Sequence, residues 1–244
     1  MKPLHSTPSQ YLLTLLLALP LSSMAALAHA ETENRAVVTP NQQISAAYAE
    51  TDNIKGFTLD ARLALPLTRY TGAVFTAAAY DIDGKRVGVN GSNGLSLGGE
   101  LFLRDNQRGL LGFSYTQTRV DYDSPSSLPT KNNQTYGLSA QYYRENLTLS
   151  ADRGITRGDS EGNNLIYGGA WYPTDNMRIT AKKFGMDNAG LYLFALTAQP
   201  AFLGGDITPY LSYQTRFDGD PFTSLGITYF FQKNISLKDR DRRY

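Results

Sequence analysis

The sequence predicts an all-β fold, a transmembrane antiparallel up-and-down β-barrel of about twelve strands. Apolar and polar residues alternate with a period of two along most of the chain after Glu31. Short turns alternate with longer polar loops between many of these runs. No apolar segment after Glu31 is long enough for a membrane-spanning helix, so a chain that crosses a membrane must cross it with strands.

The first 30 residues have the organisation of a secretory signal peptide. Lys2 precedes the apolar run "YLLTLLLALPL", and small residues lead to the tripeptide Ala28-His29-Ala30 before Glu31. The apolar run is shorter than the roughly 20 residues of a membrane-spanning helix. We therefore expect residues 1–30 to be removed and the mature chain to leave the cytoplasm.

The composition argues against nucleic-acid binding and against catalysis. The chain has 23 basic and 22 acidic residues, and the two balance once Lys2 is removed, whereas nucleic-acid binding favours a basic excess. Both histidines, His5 and His29, lie in the predicted signal peptide, and cysteine is absent. This removes serine–histidine triads, cysteine nucleophiles and the common zinc sites. We expect no enzyme activity, no metal and no cofactor.

Twelve runs of alternating character cover the mature chain. In the second run, "FTLDARLALPL", Phe57, Leu59 and Leu63 face one way. Asp60 and Arg62 face the other way. The predicted strands are 42–50, 55–65, 70–82, 94–104, 110–120, 133–143, 147–156, 164–173, 177–184, 190–198, 206–217 and 221–231.

The connections between the runs indicate a barrel rather than a sandwich. The turns after strands 2, 4, 6 and 8 are short ("PLTR", "DNQRG", "REN", "PTDN"), whereas "DGKRVGVNGSN", "DYDSPSSLPTKN" and "RGDSEGNN" follow strands 3, 5 and 7. This asymmetry is typical of barrels with short periplasmic turns and long external loops. The connections at 185–189 and 217–220 fit less well, because they are short. The predicted organisation is a barrel at 31–231 and a charged periplasmic tail at 232–244.

The last run, "TSLGITYFF" (223–231), has one apolar and one polar face. Its segment "SLGITYFF" resembles the terminal-strand signal of bacterial outer-membrane β-barrel proteins, a porin-like class. The matching residues are Ser224, Gly226, Tyr229 and Phe231. The resemblance implies the outer membrane of a Gram-negative-type cell and insertion by the barrel-assembly machinery. One departure is that 13 residues follow Phe231, whereas an aromatic residue usually ends such chains.

Charged residues fall on the predicted inner face of the barrel. An ionised group is costly to bury alone, so these residues must be paired or hydrated. They either line a narrow aqueous path, with the basic strands 9 and 11 facing Glu100, or pair across a packed interior. Barrels of about 8 strands are filled and those of 16–18 strands enclose channels, so twelve strands leave both possible. We favour the channel, because small polar residues occupy many inward positions of strands 5, 6 and 12. The predicted pore-lining residues are Asp60, Arg62, Glu100, Asp152, Lys182 and Arg216, with Arg104 and Arg178 also facing inward.

Three basic residues, Arg119, Arg153 and Lys183, fall on the lipid side if their strands keep phase. Each costs about 2–4 kcal/mol at the midplane and less towards the interfaces. All three lie near the loop end of their strands, where they could contact lipopolysaccharide phosphates. The alternative, which we favour, is a bulge, for example at Gly154, that turns them away from lipid.

The predicted function is a narrow passive channel for small hydrophilic solutes. One alternative is a plugged barrel that acts as an envelope scaffold or assembly partner through its tail. A second alternative is a soluble exported β-sheet binding protein. We expect a solvated tail, although its charges could contact periplasmic polymer, phosphate or a partner. The expected partners are outer-membrane lipid and lipopolysaccharide, the barrel-assembly machinery and small solutes, with no nucleic acid.

Overall fold

A computed structural model describes residues 36–85, 91–123, 129–186, 189–216, 219–232 and 234–243. The predicted signal peptide lies outside these ranges, as does the side chain of Arg216. None of the helices in the described ranges is long and apolar enough to cross a membrane.

The described chain forms twelve strands and a short C-terminal helix, α1. Every predicted strand is present, with both bounds within two residues of the prediction. The strands are β1 (Asn41–Glu50), β2 (Ile54–Pro66), β3 (Thr71–Gly84), β4 (Ser92–Asp105), β5 (Gly109–Tyr122), β6 (Lys131–Arg144), β7 (Leu147–Gly158), β8 (Gly162–Thr174), β9 (Met177–Met186), β10 (Ala189–Ala198), β11 (Ile207–Arg216) and β12 (Gly219–Phe230), and α1 is Leu237–Arg243.

The sheet closes on itself. Each strand pairs antiparallel with its sequence neighbours, and β12 pairs with β1, from Gln43 opposite Phe230 to Glu50 opposite Thr223. The prediction of a closed, up-and-down barrel is therefore confirmed. We call the end that holds the turns after β2, β4, β6 and β8 the turn end, and the opposite end the loop end.

The register of β7 is continuous with both of its neighbours. Register shifts occur elsewhere, between Trp171 and Thr174 and between Gln214 and Arg216. The predicted bulge at Gly154 is therefore wrong. Leu149 and Ile155 are exposed on the outside of β7, and Arg153 shares their phase, so it also faces outward.

The outside of the barrel carries an apolar belt. Leu138, in the middle of β6, and Leu225, on β12, are each 62% exposed. Exposed apolar area of this extent is costly in water, at about 25 cal/mol per Å², and is stable in a hydrocarbon environment. A closed sheet is also what a membrane requires, because every backbone polar group finds a partner within the sheet.

The turn end of the interior is filled rather than hollow. Residues 36–40, which precede β1, fold inward, and Val37 is fully buried in an apolar cluster with Phe102. Gly72 permits this packing, because a Cβ atom there would lie 2.4 Å from the Phe102 ring and 2.8 Å from Val37. The other members of the cluster are Ala36, Ala64, Val74, Leu110 and Tyr143.

Candidate functional site

The interior encloses a polar cavity of about 610 Å³. Side chains from β1, β2 and β4 to β12 line it, together with two residues of α1. The cavity is therefore the lumen of the barrel, lined by residues around most of its circumference, rather than a local cleft. Its charged lining residues are Asp60, Arg62, Glu100, Arg104, Arg178, Lys182 and Asp241.

Four of the six predicted pore-lining residues, Asp60, Arg62, Glu100 and Lys182, line this cavity. Asp152 on β7 is not in contact with it but interacts electrostatically with Lys182 on β9 and with Glu100. Arg216 ends β11, and its side chain lies outside the described part of the chain. The roles of these residues in a pore stay a prediction.

Glu100 has a defined partner on the inner wall. Its Oε1 atom accepts a hydrogen bond of 2.6 Å from the Ser139 hydroxyl on β6. Gly112 lies on β5 between the two, where a Cβ atom would be 2.2 Å from Glu100 Oε1 and 2.4 Å from Ser139 Oγ. The absence of a side chain at Gly112 therefore makes room for this hydrogen bond.

Small hydroxyl side chains cover much of the remaining wall. They pair between neighbouring strands, and such pairs satisfy one another while presenting little bulk to the lumen. The pairs are Ser45 with Thr228 at 3.0 Å, Ser96 with Thr118 at 2.8 Å, Thr135 with Thr156 at 3.0 Å, and Ser212 with Ser224 at 2.5 Å. Because Ser224 takes part in one pair, its side chain faces inward.

The tail differs from the solvated end that we expected. Residues 234–243 fold into the turn end of the barrel, where Leu237 and Arg240 are nearly inaccessible to solvent. Two side chains of α1, Leu237 and Asp241, line the cavity. The tail is ordered because the barrel mouth supplies partners for its charges. We call residues 36–40 and 234–243 together the terminal plug.

Asp241 joins α1 to the lumen wall. Its Oδ2 atom accepts two hydrogen bonds of 2.7 Å, one from Nη1 of Arg178 on β9 and one from the hydroxyl of Tyr172 on β8. Tyr172 is only 1% exposed, and Arg178 is also held by Thr197 at 3.3 Å. Two donors from adjacent strands thus converge on one carboxylate oxygen. Arg104 on β4 interacts electrostatically with the same carboxylate.

Arg242 anchors α1 to the turn between β6 and β7. Its guanidinium donates to the carbonyl oxygens of Glu145 at 2.7 Å and Leu147 at 2.8 Å, and to the Thr148 hydroxyl at 3.2 Å. The same group lies over the ring of Tyr143 on one strand and that of Tyr172 on another. This combination of planar donors and stacking is specific to arginine.

The rest of α1 is held at the rim of the mouth. Arg240 lies 4.1 Å from the ring centroid of Phe230 and donates to the carbonyl oxygen of Gln232 at 2.5 Å. Lys238 donates to the side chains of Asn146 at 2.7 Å and Asp175 at 3.3 Å. The helix is therefore attached around the circumference of the mouth rather than at one point.

The two ends of the described chain meet inside the terminal plug. The backbone N–H of Val38 donates to the carbonyl oxygen of Arg243 at 3.0 Å. Gln232 donates to Thr39 at 2.7 Å and also to the Pro40 carbonyl oxygen. Arg104, buried beside them, donates to the Ala36 carbonyl oxygen at 3.1 Å.

The charge pattern of the tail did not reveal this arrangement, although one local signal was present. The segment Ser236-Leu237-Lys238-Asp239 is a capping box that marks a helix start. In the structure, the Asp239 N–H donates to Ser236 Oγ at 3.1 Å, and this hydroxyl donates to Asp239 Oδ2 at 3.0 Å. The contacts of Tyr172, Asp241 and Arg242 have no such local signature.

The three predicted exterior basic residues are on the outside of the barrel. Arg119 pairs with Asp121 at 3.1 Å. Lys183 lies near the rings of Tyr167 and Tyr192, at 6.0 and 5.6 Å from their centroids. Arg153 is exposed. Arg119 and Lys183 thus have local partners that reduce the cost of placing a charge on this surface.

The described part of the chain contains no cluster of three or more histidine, cysteine, aspartate or glutamate side chains that could hold a metal ion. A scan with protein-family models matches no family, and a search of curated proteins finds no match.

Solved structures with a similar fold include outer-membrane channels, porins and an autotransporter translocator domain. The COG4313 outer membrane channel from Pseudomonas putida F1 has a TM-score of 0.64 and 10% identity, over 83% of this chain and 100% of that one. The KdgM porin has a TM-score of 0.56 and 11% identity, over 78% and 99%. The translocator domain of the autotransporter NalP from Neisseria meningitidis has a TM-score of 0.51 and 12% identity, over 78% and 88%. The fold is therefore that of outer-membrane β-barrel proteins, as the terminal strand indicates.

Proposed function

We propose that the protein is a narrow, passive channel for small hydrophilic solutes in the outer membrane of a Gram-negative-type cell. The observation that carries the proposal is the polar cavity of about 610 Å³, with charges of both signs, inside a barrel whose outside is apolar. Buried charges of this kind need water or a polar solute near them. Several barrels of the same fold are outer-membrane channels or porins.

The inner face supports a role in orienting charged solutes. In the ring order of the barrel, β9 lies opposite β3, which stands between β2 and β4. Lys182 on β9 is thus across the lumen from the strands that carry Asp60 and Glu100. Such an arrangement would align a small zwitterion or anion during passage. We place Asp60, Arg62, Glu100, Asp152, Lys182 and Arg216 along this path.

Two further contacts with the envelope belong to this proposal. Arg119 and Lys183 face the lipid side near the loop end, whereas Arg153 faces it lower on the wall, directly opposite Leu138. We propose that all three side chains reach up to lipopolysaccharide phosphates. Ser224 and Gly226 face inward on β12, whereas Tyr229 and Phe231 face outward and pack edge to face at 5.1 Å. We propose that the barrel-assembly machinery reads this strand during insertion. The tail then lies on the periplasmic side.

Planar-bilayer recording tests the channel. We expect discrete conductance steps from the purified, folded barrel, recorded both for the full mature chain and for a chain that ends at Gln232. Heat-modifiable migration on gels establishes that each preparation is folded, and the heat-unfolded sample is the control. A folded barrel that gives no steps in either form is not a channel.

The terminal plug favours a second candidate, a closed barrel that acts as an envelope scaffold. In this case, the tail would recruit a partner while solutes do not pass. Deleting residues 233–244 distinguishes the two, because a scaffold loses a co-purifying partner while solute uptake is unchanged. The third possibility, a soluble β-sheet binding protein, does not explain the apolar belt. Fractionation of the protein with outer membranes would separate that case.

A further inference from the structure

We propose that Arg178 and Tyr172 form a carboxylate-binding site at the turn end, and that Asp241 occupies it as an internal ligand. The terminal plug thereby closes the channel until a carboxylate solute competes for the site. This inference rests on the channel function proposed above and adds a ligand class and a gate to it.

The geometry of the site is that of a carboxylate receptor. Arg178 and Tyr172 each donate a hydrogen bond of 2.7 Å to the same oxygen of Asp241. Thr197 fixes the second arm of the Arg178 guanidinium at 3.3 Å. Arg104 adds a second positive charge that interacts with this carboxylate. These groups belong to the barrel wall, so the site remains when α1 is absent.

The helix that supplies Asp241 has little stability of its own. It has seven residues, Leu237–Arg243, and Leu237 is its one apolar side chain. Isolated helices shorter than about 12 residues are marginal in water, so α1 is folded because the mouth holds it. Its remaining contacts are hydrogen bonds, ion pairs and the stacking of Arg240 and Arg242 on aromatic rings, and water or a solute can replace the polar ones. Such a segment is suited to leave and return without disturbing the sheet.

The position of α1 connects this site to the lumen. Leu237 and Asp241 both line the cavity, and Arg243 is bonded to Val38 of the N-terminal segment. A solute that moves between the cavity and the turn end must therefore pass the terminal plug. When Asp241 leaves, Arg178 becomes available to an anionic solute at that point. The carboxylate of the solute then replaces the carboxylate of Asp241 at Arg178, and this replacement opens the mouth.

The first test compares conductance among four folded barrels in planar bilayers. These are the full mature chain, a chain that ends at Gln232, Asp241→Asn and Asp239→Asn. Asp239 is the matched control, because it lies on the same helix, its side chain pairs with Arg243 at 3.7 Å rather than with the barrel wall, and an asparagine there can still accept the hydrogen bond from Ser236. We expect Asp241→Asn to have a roughly tenfold higher open fraction, since one charge-assisted contact contributes about a decade in an equilibrium. The truncated chain, which lacks all of α1, should be open at least as often. Asp239→Asn should match the wild-type chain.

A synthetic peptide of residues 234–244 tests closure on a barrel that carries no substitution, so the result does not depend on whether a variant folds. Added to the turn-end side of the truncated barrel, it should restore closure, and the same peptide with asparagine at 241 should not. Equal conductance of the full and truncated chains overturns the gate while leaving the channel function intact. If no variant conducts, the channel function fails, and this proposal fails with it.

The second test uses disodium succinate against sodium chloride at equal ionic strength. Succinate should raise the open fraction of the full chain, because it competes with Asp241 for Arg178. Succinate should have no further effect on the open fraction of Asp241→Asn or Arg178→Gln, because the contact between Asp241 and Arg178 is already broken in both variants. An open fraction of the full chain that is the same in both salts overturns the carboxylate competition.

Discussion

Asp241 and Arg178 are 63 residues apart in the sequence, and yet Oδ2 of one lies 2.7 Å from Nη1 of the other. Their side chains are 26% and 29% exposed, so the pair is shielded from bulk water without being sealed from it. A charge-assisted contact in such a position contributes more than a surface ion pair and avoids the full desolvation penalty of an enclosed one. It is suited to a segment that docks and is released.

Replacing Asp241 by asparagine is expected to expose the tail to proteolysis. Hydrogen bonds to charged groups contribute about 1.5–3 kcal/mol, so opening of the tail should increase by roughly 10–100-fold. Limited trypsin digestion of the folded barrel measures this as the rate of cleavage after Arg240 and Arg242. Asp239→Asn is the control, because its exposed pair contributes only about 0–1 kcal/mol. Similar cleavage rates for the two variants would show that Asp241 does not hold the tail.

Replacing Lys182 by glutamate is expected to shift ion selectivity towards cations. Lys182 lines the cavity, and reversing its charge changes the potential that a permeating ion meets. The measurement is the reversal potential under a salt gradient, in the chain that ends at Gln232. Lys55→Glu makes the same charge change at the exposed pair with Asp83, at 3.8 Å on the rim, and should leave selectivity unchanged. An unchanged reversal potential in Lys182→Glu would remove this residue from the path.

Replacing Gly112 by alanine is expected to destabilise the barrel by about 1 kcal/mol. The added Cβ forces apart Glu100 and Ser139 and breaks their hydrogen bond. The cost of losing this bond is partly offset because alanine is more favourable than glycine in a strand. Gly99→Ala is the matched control, because its Cβ meets only ordinary contacts, at 3.4 Å and beyond. The midpoint of the heat-modifiable gel shift reports both. A lower midpoint for Gly99→Ala than for Gly112→Ala would be inconsistent with this account.

Replacing Ala140 by arginine is expected to cost about 2–4 kcal/mol of folding free energy in a bilayer, because Ala140 lies on the lipid side between Leu111 and Ala151, within the apolar belt. Gln134→Arg places the same side chain on the same face of β6 but closer to the loop end, where the cost falls to about 0–1 kcal/mol. Urea titration of folding into phospholipid vesicles measures both. Equal costs would mean that this face of β6 does not cross the membrane as the apolar belt indicates.

Replacing Arg153 by glutamine is expected to reduce the stabilisation that lipopolysaccharide gives the barrel. Its guanidinium is exposed on the outside of β7 and is able to pair with a phosphate. The readout is the difference in unfolding midpoint between bilayers with and without lipopolysaccharide. Arg108→Gln is the control, because Arg108 lies in an exposed turn at the opposite end. If both variants keep the full difference, Arg153 makes no such contact.

The strands were predictable because their signal is local. Alternation in a run such as "TYGLSAQYY" identifies both the strand and the residues on its inward face. The same alternation in β2 and β4 predicted that Asp60 and Glu100 face the lumen. The pairing of β12 with β1 was predicted because a sheet can cross hydrocarbon only if it closes on itself, which satisfies every backbone polar group. The long loops were less predictable. The polar segment "RGDSEGNN" is largely taken into β7 and β8, because polar residues extend a ladder that projects beyond lipid.

The errors concern charges. Arg153 led us to expect a bulge at Gly154, because the cost of a charge on the outer face depends on its depth, which phase alone does not give. We expected a solvated tail because arginine is rarely buried without a partner, and the local sequence shows no partner for Arg240 or Arg242. Arg240 is held by the Phe230 ring and the Gln232 carbonyl oxygen. Arg242 is held by two tyrosine rings and by carbonyl oxygens more than 90 residues away in the sequence, which no local pattern reports. The capping box at Ser236 predicts a helix start but not its location.

The hydrogen bond between Val38 and Arg243 joins the segment that precedes β1 to the last residue of α1, the helix that follows β12. We expect these two positions to come together only after β1 and β12 have paired along the seam of the barrel. We therefore expect α1 to dock after the seam between β1 and β12 has formed, so that its docking reports a complete seam. An intermediate with an unsealed seam would keep its C-terminal residues free, which makes their protection a natural marker for barrels that have finished assembly.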